Sequence, residues 1–473
     1  MQQDHGRPHG PAPAPGGGAV DPAGPGERAV TADRWSLVAV AGLLSFVVML
    51  DMNIVNVALP DLSRDLRVSV ASAQWAALGY QLPVVALLLP AGRWLDQVGT
   101  RPALLTAVGG FALGSAAAAA SPWAAALIAA RLLQGVFGAV LFVLMPVLAA
   151  RSVRPELRGR AMSVTATLGP LGAVAGPAVG GLLLDHLGWR AIFLVKLPVC
   201  AAALLIAHRY APRGGALRRP DRAALADAAL IGAAVTALLL ALTLAPGHPG
   251  WLLLAGLAVP PAVRWGRGPG AQPVLQVLRS SRTAGVHGAV LAVAAAFAAM
   301  RYLLALHLQR DEAVSATATG LTLLCFPLAM GLAGPLGGRL ADRFGAGRVA
   351  VTGAGLTALG LLLLPLDTHW SLPGLAWRLA LAGSGMGLYG GPVQNLVMSA
   401  APPGRLATAG SAVQLARNLG FTLGPALATA VWGLAGSDTA GIRAGLGTAA
   451  GAACLAVGLL ALHRRRGPAP APA

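Results

Sequence analysis

Three charged side chains stand in stretches that are otherwise apolar enough to cross a membrane. Asp51 lies in MLDMNIVNVALP (49–60), Arg131 opens RLLQGVFGAV (131–140), and Lys196 lies in WRAIFLVKLP (189–198). Ionisable groups at membrane depth are costly and are functional sites by default. If the first helix starts near Ser36, Asp51 lies about 22 Å along it. Arg131 sits on a helix entered from the opposite side near Trp123, about 12 Å below that side. In a hydrocarbon core of about 30 Å the two share one depth. Pairing lowers the cost of burying either charge. Burial and a nearby guanidinium act on the Asp51 proton in opposite senses, so its occupancy can change as its surroundings open and close. The expected chemistry is proton exchange at Asp51, modulated by Arg131; the alternative is a static pair that fixes helix packing. Lys196, about 10 Å into its helix, either faces a cavity or reaches for the surface.

The elements that must hold these residues follow from composition. The chain has 473 residues, 56% of them hydrophobic and only 11% charged, with mean hydropathy +0.68. Soluble proteins carry about 25% charged residues. Apolar runs of roughly 18 residues or more recur from end to end, which predicts an all-α polytopic membrane protein embedded in a lipid bilayer. The net charge of +18 does not mark a nucleic-acid partner. The basic residues sit in short loops between apolar runs, and all but Lys196 are arginine. That bias, with abundant Ala and Gly, reads as GC-rich coding and fits a bacterium. Cys200, Cys325 and Cys454 all fall in apolar runs, which argues against disulfides and thiolate metal sites. No acids or histidines stand at metal-ligand spacing, and no GxxxxGK[ST] loop is present. No cofactor is expected, and energy must come from a gradient.

Fourteen helices are predicted near 36–59, 72–92, 103–121, 123–149, 161–183, 189–208, 225–245, 250–265, 284–308, 316–337, 348–366, 372–400, 405–433 and 440–462. Twenty-two arginines fall in the even-to-odd connections and the C-terminus, against five (Arg64, Arg67, Arg190, Arg310 and Arg443) in the odd-to-even connections. The positive-inside bias then predicts that both termini are cytoplasmic. Residues 1–35 and 463–473 read as tails rich in Pro, Gly and Ala or arginine, and residues 1–33 do not form a signal peptide.

Two loops repeat. GRWLDQVGTR (92–101) and GRLADRFGAGR (338–348) share Gly92, Arg93, Asp96 and Gly99 with Gly338, Arg339, Asp342 and Gly345. Both are predicted on one side, so the repeat is parallel, as in transporters built from two related bundles. Eight helices separate the loops where six would suffice. The domain organisation expected is a six-helix bundle at 36–208, a linker with two extra helices at 209–283, and a second six-helix bundle at 284–462.

At this point the residues resemble a family. GRWLDQVGTR is similar to the signature loop of the major facilitator superfamily, and RLLQGVFGAV to its Arg-x-x-Gln-Gly motif. GAVAGPAVGG (172–181) resembles the antiporter motif GxxxGPxxGG. LDMNIVNVALP and WRAIFLVKLP resemble signatures of its fourteen-helix drug:proton antiporter branch. The resemblance spans residues 36–462. That branch usually has Thr at Asn53 and Asn at Lys196, so substrate identity does not carry over. The resemblance implies the major facilitator fold, and that Gly172, Gly176, Pro177, Gly180 and Gly181 shape a helix that controls access and favours export. Small residues let a neighbouring backbone approach, and Pro177 permits a bend. The two loops, with Arg101 and with Arg158 and Arg160 from the next loop, are expected to latch the cytoplasmic side. An Asp there can meet the positive N-terminus of a neighbouring helix. The bland readings are packing glycines and topology-setting charges.

Asn53, Asn56, Tyr80, Gln81, Gln134, Lys196, Arg301, Gln414, Arg417 and Asn418 are the candidate cavity residues; Gln414, Arg417 and Asn418 share one helix face. Arg301 either faces the cavity or snorkels outward. Trp75, Tyr302, Phe326 and Tyr389 are further candidate surfaces. Asp51 is the one clearly intramembrane acid against Arg131, Arg301, Arg417 and Lys196, so neutral, zwitterionic or acidic amphipathic substrates are expected over multivalent cations. The expected function is proton-coupled efflux of small hydrophobic, drug-like molecules from a bacterial cell membrane by a monomer. An uptake symporter, or a receptor or scaffold without transport, is the alternative. No catalytic constellation points to an enzyme.

Overall fold

The computed structural model describes residues 33–73, 75–212, 214–244, 249–280, 283–366, 370–435 and 439–465. The side chain of Asn56 and most of both expected tails lie outside the described residues.

In hydrocarbon every backbone N–H and C=O needs an internal partner, which makes a helix of each apolar run. The α-helices among the described residues are α1 (Trp35–Asp65), α2 (Val70–Ala73), α3 (Trp75–Leu95), α4 (Thr100–Ala119), α5 (Ala124–Arg151), α6 (Arg158–Leu187), α7 (Ala191–Leu194), α8 (Leu197–Tyr210), α9 (Arg222–Leu244), α10 (Val259–Arg267), α11 (Gln272–Ser280), α12 (Ala284–Arg310), α13 (Ala316–Phe344), α14 (Ala346–Leu362), α15 (Leu372–Ser399), α16 (Leu406–Leu434) and α17 (Thr439–Arg465). Short 3₁₀ segments fill Pro155–Leu157 and Pro249–Ala258. Nine spans among the described residues are long and apolar enough to cross a membrane. With α9, α14, α15, α16 and the Pro249–Arg267 segment laid alongside them, the series is consistent with fourteen crossings.

Helix pairing repeats between the halves. α1 packs along α6, α3 and α4 pack on α5, and α8 packs against α1 and α4. In the second half α12, α13, α14, α15, α16 and α17 take the places of α1, α3, α4, α5, α6 and α8. Each half has its own core, around Tyr80, Phe111 and Leu144 in one and Met300, Phe326 and Leu446 in the other. The two bundles meet through α6 against α13 and α15, and through α16 against α3 and α5. These contacts gather toward the end that carries the repeated loops, where most arginines lie; we call it the arginine-rich face. A methyl group added at Gly338 or Gly391 would meet Ser163, and one at Gly331 would meet Leu171. Leu171 is thirteen residues into α6. The closed part of the seam is therefore about 20 Å deep.

Several expected boundaries move. Pro60 does not end the first helix, which runs on to Asp65 because Leu62 is buried in the core beyond it. The ring of Pro60 is exposed, so the lost backbone bond falls on the outer face of the helix. α3 and α13 reach Leu95 and Phe344, so Gly92, Arg93, Arg339 and Asp342 lie on helices, not in loops. The expected helix at 189–208 breaks into α7 and α8 at Val195 and Lys196. Pro198, in the first turn of α8, has no N–H to bond to the Leu194 carbonyl. The expected helix at 250–265 starts as the 3₁₀ segment and ends as α10, with a further short helix, α11, after it.

Candidate functional site

The broken crossing brings the three sequence-singled charges together. Arg131 Nη1 donates to Asp51 Oδ2 at 2.7 Å, and Lys196 Nζ donates to the other oxygen, Oδ1. All three side chains are at most 1% exposed. Lys196 stands in the short break between α7 and α8, two residues before Pro198, and its stem turns inward to Asp51. The arginine has further partners: Nε donates to the Ala76 carbonyl at 2.8 Å and Nη1 to Gln134 Oε1 at 2.7 Å. Its guanidinium carbon lies 4.5 Å from the Tyr80 ring centroid, and Lys196 Nζ lies 5.0 Å from that of Phe193. Ser115 closes the shell, donating to the Phe193 carbonyl at 2.9 Å. One carboxylate thus serves two cations. Adding a proton to Asp51 would leave those cations facing each other at low dielectric, so protonation favours their separation or the loss of the Lys196 proton.

Other first-bundle candidates sit nearby. Asn53 donates to the Met49 carbonyl at 2.8 Å and packs beside Gly176. Tyr80 and Gln134 are wholly buried in the charged cluster, and Gln81 is half-buried. A methyl group at Gly172 would overlap the Phe46 carbonyl, and one at Gly176 or Gly180 would press on α1 at Asn53 or Ile54. Gly181 faces open space, and Pro177 is exposed. Three of the four motif glycines therefore hold α6 against the very stretch of α1 that carries Asp51.

At the arginine-rich face the two repeated aspartates make reciprocal latches. Asp96 accepts from the Ala407 and Thr408 amides, at 2.8 and 3.0 Å, and from the Thr408 hydroxyl at 2.6 Å. These are the orphan donors of the α16 N-terminus, where a carboxylate meets the positive end of the helix dipole. Burial pushes the Asp96 carboxyl above its ordinary range, and the same Thr408 and Ala407 bonds pull it down. Asp342 does the same for the opposite bundle, meeting the Gly159 and Arg160 amides at the start of α6 and Arg160 Nε at 3.2 Å. Arg160, not Arg158, makes this ion pair. Arg93 turns away from Asp96 to pair with Asp227 of α9. Arg101 donates to the His208 carbonyl at 2.9 Å, and Arg339 is exposed. Gly92 and Gly338 lie where the bundles touch: a Cβ would strike Ser411 at the first and Ser163 at the second. Gly99 lies against the backbone of Gly214 and Gly215, and Gly345 adopts φ +89° at the end of α13.

In the second bundle Gln414 is buried, Asn418 donates to its carbonyl at 3.0 Å, and Arg417 is half-buried. Arg301 is exposed. The sequence reading passed over Ser115, Thr408, Asp227, Phe297 and Phe421. Asp227 carried a signal, an acid at the start of an apolar run; Thr408 carried none, since only the fold brings α16 to α3.

Two bundles with one pairing pattern, latched at one face around a buried charged cluster, define a multi-pass membrane transporter. The chain belongs to the Major Facilitator Superfamily, whose sequence profile matches residues 41–259 and 286–473. It is 32% identical over 393 residues to "Multidrug resistance protein Stp" of Mycobacterium tuberculosis (strain CDC 1551 / Oshkosh), covering 81% of this chain and 73% of that one. It is 30% identical over 409 residues to "Tetracenomycin C resistance and export protein" of Streptomyces glaucescens, covering 83% and 75%. The human organic anion transporter MFSD10 (TETRAN) has a crystal structure that superposes with TM-score 0.64 at 19% identity, over 90% of this chain and 99% of that one. At that identity the likeness speaks for the fold alone.

Proposed function

We propose that the protein exports small, hydrophobic, drug-like molecules in exchange for protons, by alternating access between its two bundles. The observation that carries this reading is the Asp51–Arg131–Lys196 cluster behind a seam latched at the arginine-rich face. The cluster offers a proton site whose occupancy is tied to the separation of charges. The latches offer a closed state that moving bundles must undo. The names of the Mycobacterium tuberculosis and Streptomyces glaucescens relatives, multidrug resistance and tetracenomycin C export, support the outward direction. By the positive-inside bias the arginine-rich face and both termini are cytoplasmic, and the membrane is that of a bacterial cell. Protons and small molecules are the partners, no other cofactor is needed, and the protein works as a monomer.

Inverted membrane vesicles test the reading. With an acid-inside gradient, a hydrophobic fluorescent amine such as N-phenyl-1-naphthylamine should accumulate, and collapsing the gradient should release it. Asp51→Asn should abolish this accumulation. Movement in the reverse sense would support uptake, and no gradient-dependent movement of any probe would support a scaffold.

A further inference from the structure

The second bundle holds two cations that the export reading has not used. Neither Arg301 nor Arg417 has a hydrogen bond or ion pair to a carboxylate among the described residues. The charged cluster in the first bundle carries one surplus cation of its own. An arginine within the hydrocarbon core costs several kcal/mol unless water or an anion attends it.

The place of the two arginines is specific. α13 and α16 carry the second bundle's contacts to the first, through α6 and α3. The face of α12 that lies between α13 and α16 therefore points toward the opposite bundle. Phe297 marks that face: its ring centroid lies 4.8 Å from that of Phe326 on α13 and 6.1 Å from that of Phe421 on α16. Arg301 is one turn beyond Phe297 on the same side of α12, away from the arginine-rich face. Arg417 is one turn before Phe421 on α16, toward the arginine-rich face. Gly420 of α16 lies against Leu291 to Ala295 of α12, which sets the two helices in register. Arg417 is then level with about residue 290, and Arg301 lies roughly 16 Å further along the bundle. The three phenyl rings sit between them. Beneath those rings Tyr389 lies within electrostatic range of Arg417, and its buried hydroxyl has no hydrogen-bond partner among the described residues.

We propose that the molecules exported are aromatic anions, and that Arg417 and Arg301 are their two stations on either side of the Phe297–Phe326–Phe421 constriction. The proposal rests on the export reading above. A guanidinium pairs with a carboxylate or phenolate in a bidentate fork and is only weakly hydrated, which suits a station in a low-dielectric path. The phenyl faces accept a flat ring system in offset or edge-on contact. The Tyr389 hydroxyl adds a donor at the inner station. With the arginine-rich face latched, Arg301 is exposed and Arg417 is half-buried, the order expected once the anion has crossed the constriction outward.

The test uses the full chain in inverted vesicles with an imposed acid-inside gradient and three aromatic probes of similar size. Fluorescein is the anion, ethidium the cation, and N-phenyl-1-naphthylamine the lipophilic reference. The wild type should move fluorescein at least tenfold faster than ethidium. Arg417→Gln and Arg301→Gln should each lower the ratio of fluorescein to reference transport at least tenfold, and Arg417→Lys should restore part of it. The ratio is read within one vesicle preparation, so it does not depend on how much protein inserts. If a Gln variant moves no probe, fluorescein binding to the detergent-solubilised protein decides: retention in Arg417→Lys with loss in Arg417→Gln supports the proposal, and equal binding in both overturns it. Transport of the reference and ethidium without fluorescein, or an unchanged ratio in both Gln variants, overturns the proposal and leaves export standing. Transport of no probe by the wild type overturns both.

Discussion

Asp96 and Thr408 stand far apart in the chain and on opposite bundles, yet the carboxylate takes both the amide and the hydroxyl of that threonine, at 3.0 and 2.6 Å. The N-terminus of α16 thus has its capping group supplied by the other half of the molecule. No residue of its own does so: Arg405, at the cap position, makes no side-chain cap bond. Closing the seam and capping the helix are therefore one event. Losing a helix cap costs about 1 kcal/mol, which is roughly a fivefold change in population. Asp96→Ala should raise the open fraction at the arginine-rich face by about that factor. Ser163→Cys, buried in the seam, reports it through its labelling rate with an impermeant maleimide in inverted vesicles. An unchanged rate would mean the latch does not set the closed state.

The charged cluster makes opposite predictions for its members. Asp51→Asn leaves Arg131 and Lys196 buried and facing each other, and breaking a buried pair in this way costs about 3–5 kcal/mol. Lys196→Met leaves a neutral Asp51–Arg131 pair and should be tolerated or stabilising. The double variant should recover much of what Asp51→Asn loses. Thermal unfolding of the detergent-solubilised protein orders the three, and a stable Asp51→Asn would contradict the cluster as described.

Gly172 and Gly181 belong to one motif but meet different surroundings. Gly172→Ala pushes a methyl into the Phe46 backbone, and such overpacking costs about 1–3 kcal/mol. Gly181→Ala meets nothing within 4 Å and should be neutral. The melting temperatures of the two variants should separate clearly; equal values would remove the packing account of the motif.

The far end of the first bundle has a pH-dependent tie. Asp65, at the end of α1, accepts from Trp189 Nε1 at 2.7 Å and Arg190 Nη1 at 3.1 Å. The Trp189 bond first, and the Arg190 bond next, hold its carboxyl below the ordinary value of 3.8. A carboxylate lowered on folding stabilises the fold above its unfolded value, and that contribution is lost as pH falls through the lowered one. Stability should drop on acidification below about pH 4 in the wild type, and Asp65→Asn should flatten this part of the profile. Melting curves between pH 3 and 7 give the comparison.

How much of this could be read from the residues depends on the range of the interaction concerned. The apolar runs, the Asp51–Arg131 pairing and the two latch aspartates were all legible, because depth and loop repetition follow from position along the chain. The partner of each latch was legible only in kind. An aspartate seeking a helix N-terminus is general physics, but that Asp96 would find Thr408 depends on which helix the fold brings across the seam. Lys196 was ambiguous because a lysine in an apolar run can snorkel or turn inward, and only the packing of α8 against α1, which carries Asp51, decides between them. Phe297 and Phe421 were invisible as single aromatics in apolar helices. They acquire meaning only once α12, α13 and α16 converge.

The segment between the bundles now has physical content. Ile231 of α9 and Val274 of α11 pack in one small core with Leu89 of α3 and Ala412 of α16. Arg93 is tied to Asp227, and Trp94 Nε1 to the Arg218 carbonyl at 2.7 Å. That segment is thus anchored to α3 and straddles the seam between α3 and α16. Any free energy stored in that small core weighs on one arrangement of the bundles and not the other. Sequence change there can retune the resting balance of the machine, and with it the turnover, while every residue that touches cargo or proton stays the same.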